Sequence, residues 1–268
     1  MTTNLSPEEL RAVQVRILAE FDRVCRRHGL VYYLAYGTLL GAVRHGGFIP
    51  WDDDIDVMMP RADYDRLLGL FDSAAPLDLS LGSPQTQDDW PFPYAKVSDD
   101  RTELWEPLEV PLPLGVNIDV FPIDVLPASR VTRAVQARLL RLLRWAVELK
   151  YIATERGRAW HSPIAISVGK PLLRRVPMRF LIRSFTRAAS SGSHPSDRAG
   201  VRVGSFDWSA PVSDLGTPTK LRFEDLTLPG PADPAAVLTK IYGDYGTLPP
   251  QAEQISHHGF TASWRTSG

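Results

Sequence analysis

The N-terminal segment has hydrophobic residues at the spacing of an α-helix. Ser6, Pro7 and Glu9 combine an N-cap, a proline in the first turn and a capping box. The apolar residues that follow share one helical face: Leu10, Val13, Ile17, Leu18, Phe21 and Val24. Gly29 is a typical C-terminal stop. The pattern predicts an amphipathic helix that begins after Ser6 and ends at Gly29.

Strand-like and helix-like patterns alternate in the next hundred residues. Leu30–Tyr36 and Ile55–Met58 are rich in β-branched, aromatic and aliphatic residues, which predicts buried strands. Leu39–Arg44 and Arg61–Phe71 have helical patterns. Further short strands are predicted at Leu79–Leu81, Ala95–Val97, Thr102–Leu104 and Val116–Phe121, and the proline-rich stretch Glu106–Pro113 predicts a loop.

The second half of the chain begins with two basic helical patterns. These are Ala128–Arg156 and Pro171–Ala189, and the polar segment 190–197 after them predicts a loop. A strand at Leu221–Phe223 and a helix at Pro234–Tyr242 follow. The order of elements predicts an α+β catalytic core at 1–127, a basic helical insertion or subdomain at 128–203, and a segment at 204–268 that completes the core.

Composition is ordinary for a soluble protein, with 44% hydrophobic and 23% charged residues among 268 and a net charge of −1. The single Cys25 excludes an intrachain disulfide framework. The N-terminus lacks a signal-peptide pattern, and no uncharged apolar run reaches the ~20 residues that cross a bilayer. We therefore expect a cytoplasmic protein. The charge is unevenly distributed, because residues 129–203 carry 16 Lys and Arg against three acids.

Candidate chemistry centres on four aspartates within five residues: Asp52, Asp53, Asp54 and Asp56. They lie among residues that favour burial, where like charges repel and a carboxylate needs a cation or a hydrogen-bond partner. Carboxylates two residues apart on a strand share a face and can hold a hard divalent cation such as Mg²⁺, with Mn²⁺ as an alternative. The other interpretation is an exposed acidic turn at the end of a strand.

A third carboxylate is available in the segment IDVFPID at 118–124. Asp119 lies within an apolar strand pattern, and with the first acids it would complete a site for two ions. Pro122 cannot continue a central strand ladder, so we expect the strand to end there and Asp124 to lie beyond the break. The acidic-turn interpretation leaves Asp119 unexplained, so the metal site is favoured.

Gly37 and Thr38 precede these acids and add a second element. A strand, a Gly-Thr turn and a short helix present backbone N–H groups and a hydroxyl to a phosphate. Paired acids and a third acid on a later strand follow in the chain. This order is the layout of DNA polymerase β-type nucleotidyltransferases, and it predicts that fold for the core.

The stretches GTLLGAVRH at 37–45 and FIPWDDDID at 48–56 closely resemble the signature of the LicD family, whose relatives include fukutin and fukutin-related protein. Weaker matches follow in family order, with Ala95–Val97 and Thr102, then 118–124, then 242–245 and 248–250. The resemblance implies a nucleotidyltransferase-like fold. It also implies a transferase that moves a phospho-substituent such as phosphocholine from a CDP-linked donor to a saccharide or lipid-linked glycan, releasing CMP.

Carried over to this chain, the family pattern makes Asp54, Asp56 and Asp119 the catalytic metal ligands. Arg44 and Lys96 are candidates for neutralising donor phosphate, together with the Gly-Thr turn. Two other functions stay open. One is a nucleotidyltransferase that adds NMP to an acceptor, and the other is a binding protein without catalysis.

The basic helices allow two interpretations. Their arginines, at 130, 133, 138, 141 and 144 and at 174, 175, 179, 183 and 187, accompany apolar residues at helical spacing. The apolar faces could pack on the core and leave the arginines solvated. Alternatively, the helices could lie on the inner face of an anionic membrane. No motif for nucleic acid is present.

Overall fold

The computed structural model describes residues 4–105, 112, 114–151, 167, 169–192, 196–203, 207–255 and 261–265. The helices are α1 (Pro7–His28), α2 (Tyr36–Arg44), α3 (Arg61–Ala74), α4 (Arg130–Tyr151), α5 (Lys170–Leu173), α6 (Met178–Ala189), α7 (Val212–Leu215), α8 (Pro234–Tyr242) and the 3-10 turn Gln251–Glu253. The strands are β1 (Tyr33–Leu34), β2 (Asp56–Pro60), β3 (Leu79–Gly82), β4 (Ala95–Asp99), β5 (Thr102–Trp105), β6 (Asn117–Val125), β7 (Arg198–Val201), β8 (Ala210–Pro211), β9 (Thr219–Phe223), β10 (Leu226–Gly230) and β11 (Thr261–Trp264).

A mixed sheet forms the centre of the fold, in the order β1-β2-β6-β4-β3. β2 and β6 are parallel, and the other neighbours are antiparallel. β7 joins the C-terminal half of β6 and is followed by β8. The pairs β9–β10 and β5–β11 form two smaller sheets. Helices α1 and α3 pack against the central sheet, so the predicted α+β class is confirmed.

The first helix forms as its sequence predicts. Ser6 Oγ accepts a hydrogen bond from the N–H of Glu9 at 3.2 Å, and the Glu9 carboxylate accepts one from the N–H of Ser6 at 2.8 Å. Gly29 ends the helix with φ 59°, a conformation that glycine adopts without strain. The predicted apolar face lies in the core, with Ile17, Leu18 and other members fully buried.

Two predicted elements have different bounds in the structure. The first strand is only Tyr33–Leu34, because these two residues alone pair with Val57 and Met58 of β2, and α2 then begins at Tyr36. The second basic helical pattern, Pro171–Ala189, divides into α5 and α6. Pro177 causes the division, since it lacks the N–H that would bond to the preceding turn. Residues 152–156 of the first basic pattern and 106–111 and 113 of the predicted loop lie outside the described residues.

The prediction that Pro122 ends its strand is wrong, because β6 continues through it. Asp119 N donates to Ile55 O on the β2 side at 2.9 Å, so by alternation the nitrogen of Pro122 faces the opposite edge. On that edge β4 pairs with residues 117–120 and β7 with 123–125. Pro122 falls between these two partners, where its missing N–H costs no ladder hydrogen bond.

The basic helices form a small packing unit of their own. Leu140 of α4 packs with Phe185 and Ala189 of α6, and Val147 packs with Ile182 and its neighbours. The predicted division into domains stays a prediction. Strand β7 lies inside the segment 128–203 and belongs to the central sheet, through its pairing with β6. No helix in the described part of the chain combines the length and hydrophobicity needed to cross a bilayer.

Candidate active site

Three charged residues form a row across the middle of the central sheet. Asp56 on β2 is directly opposite Asp119 on β6, and Asp119 is directly opposite Lys96 on β4. Residues that pair directly on neighbouring strands point to the same face of a sheet. The three predicted site residues from separate parts of the chain therefore lie side by side on one face. We call them the charged row.

Lys96 supplies the positive charge of this row. Its Nζ donates to Asp119 Oδ1 at 2.6 Å and to Asn117 Oδ1 at 3.2 Å. The side chain is nearly buried, and its Nζ lies 5.1 Å from the centre of the Phe92 ring and 5.8 Å from that of Tyr94. A buried ammonium is stable only when it is paired, and these contacts supply the pairing. Lys96 is thus fixed beside Asp119.

Asp56 lies in a strongly negative environment. Burial raises the pKa of its carboxyl well above the usual range, and the charges of Asp54, Asp119 and Asp52 raise it further, while Lys96 acts in the opposite direction. Only 8% of the residue is exposed. The charged form of such a carboxylate is costly until a cation approaches it. This part of the site therefore favours a cationic ligand.

Side chains of α1 hold the acidic segment before β2 in place by bonding to the backbone of that segment. Arg11 Nη2 donates to the carbonyl oxygens of Pro50 at 2.8 Å and Asp52 at 3.0 Å. Gln14 Nε2 donates to the carbonyl of Asp53 at 2.8 Å. Because these bonds use carbonyl groups, they fix the course of the segment without using its carboxylates as acceptors.

Gly37 and Thr38 lie in the first turn of α2, against the same acids. A Cβ on Gly37 would lie 2.4 Å from Asp52 Oδ2, so the absence of a side chain lets this carboxylate approach the helix N-terminus. Thr38 is buried, and its Oγ1 accepts a hydrogen bond from the N–H of Asp56 at 2.8 Å. The turn thus fixes the start of β2, and its predicted contact with phosphate stays a prediction.

Arg44 is the last residue of α2, at the opposite end of the helix from Thr38. Its Nη1 donates to the carbonyl of Tyr245 at 3.2 Å and its Nε to His45 Nε2 at 3.0 Å. Six residues of helix span ~9 Å, so Arg44 and the Gly-Thr turn are separated by that distance along the helix. Burial and the neighbouring Arg44 both lower the pKa of His45.

Metal binding can be judged from the chemistry of the donors. Among the residues that the structure describes, no three His, Cys, Asp or Glu side chains converge closely enough to hold a metal ion. The Lys96 ammonium pairs with Asp119 and supplies there the positive charge that a metal ion would otherwise supply. The donor set nevertheless suits Mg²⁺, because Asp54, Asp56 and Asp119 offer only hard carboxylate oxygens. Their role as metal ligands stays a prediction.

Asp124 was predicted to lie beyond a strand break, but the structure places it within strand β6. It lies on β6, five residues from Asp119, and therefore on the opposite face of the sheet. There it is buried and accepts two hydrogen bonds from Arg61 of α3, Nε to Oδ1 at 2.8 Å and Nη2 to Oδ2 at 2.7 Å. Asp124 thus anchors a helix and does not reach the charged row.

Two tyrosines lie near the acids, and the sequence did not predict the position of Tyr36. Tyr36 has a left-handed φ of 41° at the first residue of α2, and its ring packs edge-on against Phe121 at 5.2 Å. Burial and the charge of Asp56 raise its pKa. The pKa of Tyr242 is also raised, by burial and then by Asp56, Asp52 and Asp54. Tyr242 lies in the family-like match at 242–245, whereas Tyr36 precedes the match at 37–45 and had no advance signal, since a positive φ at tyrosine has no sequence pattern.

Comparisons with known proteins agree with this geometry. Residues 29–96 match the family model "LicD/FKTN/FKRP, nucleotidyltransferase domain", which includes α2, β2 and Lys96 but ends before Asp119. The lipopolysaccharide cholinephosphotransferase LicD of Haemophilus influenzae is 27% identical over 95% of this chain and 96% of its own length.

A shorter match joins the chain to uncharacterized proteins of Rickettsia prowazekii and Rickettsia typhi, each 38% identical over 48 residues. These matches cover 18% of this chain, and 18% and 16% of the two relatives. The match to the family model covers two members of the charged row, Asp56 and Lys96, and the similarity to the LicD enzyme extends over nearly the whole chain. The chain thus contains a segment that matches the LicD family model, and it is similar over nearly its whole length to one LicD enzyme.

Proposed function

We propose that this protein is a LicD-type transferase that moves phosphocholine from CDP-choline to a hydroxyl group of a saccharide, with release of CMP. The observation that carries the proposal is the charged row of Asp56, Asp119 and Lys96. It lies in a chain that is similar from end to end to a cholinephosphotransferase that acts on lipopolysaccharide. We accordingly propose a saccharide of the lipopolysaccharide type as the acceptor, and the cytoplasm as the location.

The proposal extends to the fold of the core, which we assign to the DNA polymerase β-type nucleotidyltransferases. Support comes from the order of its parts: a Gly-Thr turn at the start of α2, an acidic strand β2, and Asp119 on the adjacent strand β6. We further propose that residues 128–203, apart from β7, form an insertion into this core. The separate packing of α4 with α6 supports that division.

Asp54, Asp56 and Asp119 are the proposed ligands of Mg²⁺. When bound, the ion would neutralise negative charge on the donor diphosphate and acidify the acceptor hydroxyl. Support comes from the raised pKa of the Asp56 carboxyl, which reflects burial and the repulsion of its neighbours. A group in this state gains most from a cation at its side.

The residues of this chain have distinct proposed roles in the transfer. A new bond forms between the acceptor oxygen and the phosphorus next to choline, and the bond from that phosphorus to the CMP oxygen breaks. The acceptor proton moves to the Asp119 carboxylate, which Lys96 holds in position at 2.6 Å. The departing electron pair stays on the phosphate of CMP. Lys96 and Arg44 would offset the charge of the donor phosphates.

The competing function is a nucleotidyltransferase that adds NMP to its acceptor, and the products of the two reactions distinguish them. Purified protein is incubated with Mg²⁺, a saccharide acceptor and one donor at a time: CDP-choline, CDP-glycerol, CDP-ribitol or CTP. The proposal predicts CMP from CDP-choline, together with a phosphocholine ester on the acceptor. Pyrophosphate from CTP with a nucleotide on the acceptor would overturn it, as would CMP release from CDP-glycerol or CDP-ribitol alone.

A further inference from the structure

Helix α4 carries two apolar faces, and only one of them is packed. Leu140, Leu143 and Val147 contact the small clusters that join α4 to α6. The second face consists of Val131, Val135, Leu139 and Leu142, which are exposed by 73%, 57%, 45% and 65%. Spacings of four, four and three residues place these side chains in one stripe along the helix. Exposed apolar side chains aligned over three turns indicate a contact surface.

Arginines border this stripe. Arg138 lies at the border of the stripe and Arg141 on the adjoining flank of the helix, and both are exposed. Together with the four apolar residues they form what we call the α4 face. Five more exposed arginines lie on the neighbouring α5 and α6 and the turn between them: Arg174, Arg175, Arg179, Arg183 and Arg187. In the described residues 130–151 and 169–192 the only acid is Glu148, which pairs with Arg144 of the same helix.

We propose that the α4 face binds the surface of an anionic lipid bilayer. An apolar stripe inserts among acyl chains while arginines at its border reach the phosphate level, which is how amphipathic helices lie in a membrane interface. Positive charge on α5 and α6 adds long-range attraction to the same anionic surface. A second copy of this chain fits less well, because a two-fold contact would bring the arginines of both α4 faces into one interface that has no acid on those faces to pair with them.

The basic helices are joined to elements that carry the charged row, so membrane contact at the α4 face would affect where the active site lies. Strand β6 carries Asp119, and only residues 126–129 separate it from α4. Arg179 of α6 pairs with Asp88 at 2.9 Å, in the segment that leads to Phe92 beneath Lys96. The basic helices α4 and α6 are therefore connected to the strand that carries Asp119 and to the segment that precedes Phe92. A bilayer on the α4 face would hold the enzyme beside an acceptor carried on lipid.

Co-sedimentation with lipid vesicles tests the inference without any turnover, so its failure is separate from failure of the proposed function. The vesicles are phosphatidylcholine alone or phosphatidylcholine with phosphatidylglycerol. We expect binding to the anionic vesicles only. At ~1 M salt, where the screening length is ~3 Å, the binding should weaken.

Variants identify the surface. The triple change Val135→Gln, Leu139→Gln and Leu142→Gln keeps good helix formers and should lower binding by about 10-fold or more. Arg138→Gln with Arg141→Gln should lower it by about 10-fold as well. Leu77→Gln, at a fully exposed leucine outside the helical unit, is the matched control and should bind like wild type. Circular dichroism verifies that each variant is folded.

Three results would overturn the inference. The first is wild-type protein that stays in the supernatant with anionic vesicles at low ionic strength. The second is folded triple and arginine variants that bind as wild type does. The third is a wild-type dimer that the triple variant abolishes, with no vesicle binding by either, which would make the α4 face a contact between protein copies.

Discussion

Asp124 and Asp119 lie on the same strand but on opposite faces, so the same substitution should have very different effects on activity at the two positions. Asp124→Asn removes the carboxylate charge that pairs with the Arg61 guanidinium. Breaking a buried ion pair costs about 3–5 kcal/mol of stability. Arg61 is 19% exposed and has Asp65 at 3.8 Å, which places the cost near the lower end. At about 2–4 °C per kcal/mol for a chain of this size, the melting temperature should fall by ~6–12 °C.

The assay combines thermal and urea denaturation with CMP release per folded molecule. Asp124→Asn should keep an activity within about threefold of wild type, because it does not reach the charged row. Asp119→Asn should lose at least ~100-fold in activity per folded molecule, and it should also be less stable, because it leaves the buried Lys96 ammonium without its carboxylate. Asp72→Asn, at an exposed position of α3, controls for removal of a carboxylate from this part of the fold and should match wild type in both measurements.

A double variant adds a second check on the same pair. Arg61→Met with Asp124→Leu replaces both charges by apolar side chains and should recover most of the lost stability, since a buried ion pair and a hydrophobic pair of similar volume are nearly equivalent. Folded Asp124→Asn protein that is as inactive as Asp119→Asn would refute the assignment of faces. Unchanged stability in Asp124→Asn would refute the anchoring role.

Two further predictions concern other charges. Lys96→Met leaves Asp119 without the ammonium that pairs with it. CMP release should fall by at least ~10-fold, and the free energy of unfolding should fall by about 3 kcal/mol. An unchanged rate together with an unchanged free energy of unfolding would exclude the pairing. Burial alone would raise the pKa of Asp99, but hydrogen bonds from Arg101 and Arg16 hold it below the usual range. Its stabilising contribution is therefore present above the unfolded pKa of about 3.9 and is lost as the pH falls through the folded value. The stability difference between wild type and Asp99→Asn should shrink below about pH 4, and a constant difference would contradict this.

Most of the site could be predicted from the sequence because its parts are local. The acids 52–56, the Gly-Thr turn and the apolar strand around Asp119 each have a short pattern with a direct physical meaning. The capping box and Gly29 likewise depend only on neighbouring residues, and they mark the ends of α1 correctly. Resemblance to a known family then predicted which distant segments meet.

Long-range pairing accounts for what the sequence did not predict. The strand continues through Pro122 because β4 and β7 leave a gap beside it, and neither partner can be recognised from residues 118–124. The role of Asp124 depends on Arg61, which is far away in the chain. The ion pair between Lys96 and Asp119 likewise depends on strand register, which a single sequence does not specify outside a hairpin.

The central claim is that the charged row is the catalytic centre of a phosphocholine transferase, and Asp56→Asn tests it most directly. The measurement is CMP release from CDP-choline with Mg²⁺ and acceptor, per folded molecule, beside wild type. The substitution removes a buried charge that repels Asp54 and Asp119, so the variant should melt at the same temperature as wild type or higher. Its rate should nevertheless fall by at least ~100-fold, since a charged ligand is lost. A folded variant that retained more than about a tenth of the wild-type rate would contradict the assignment.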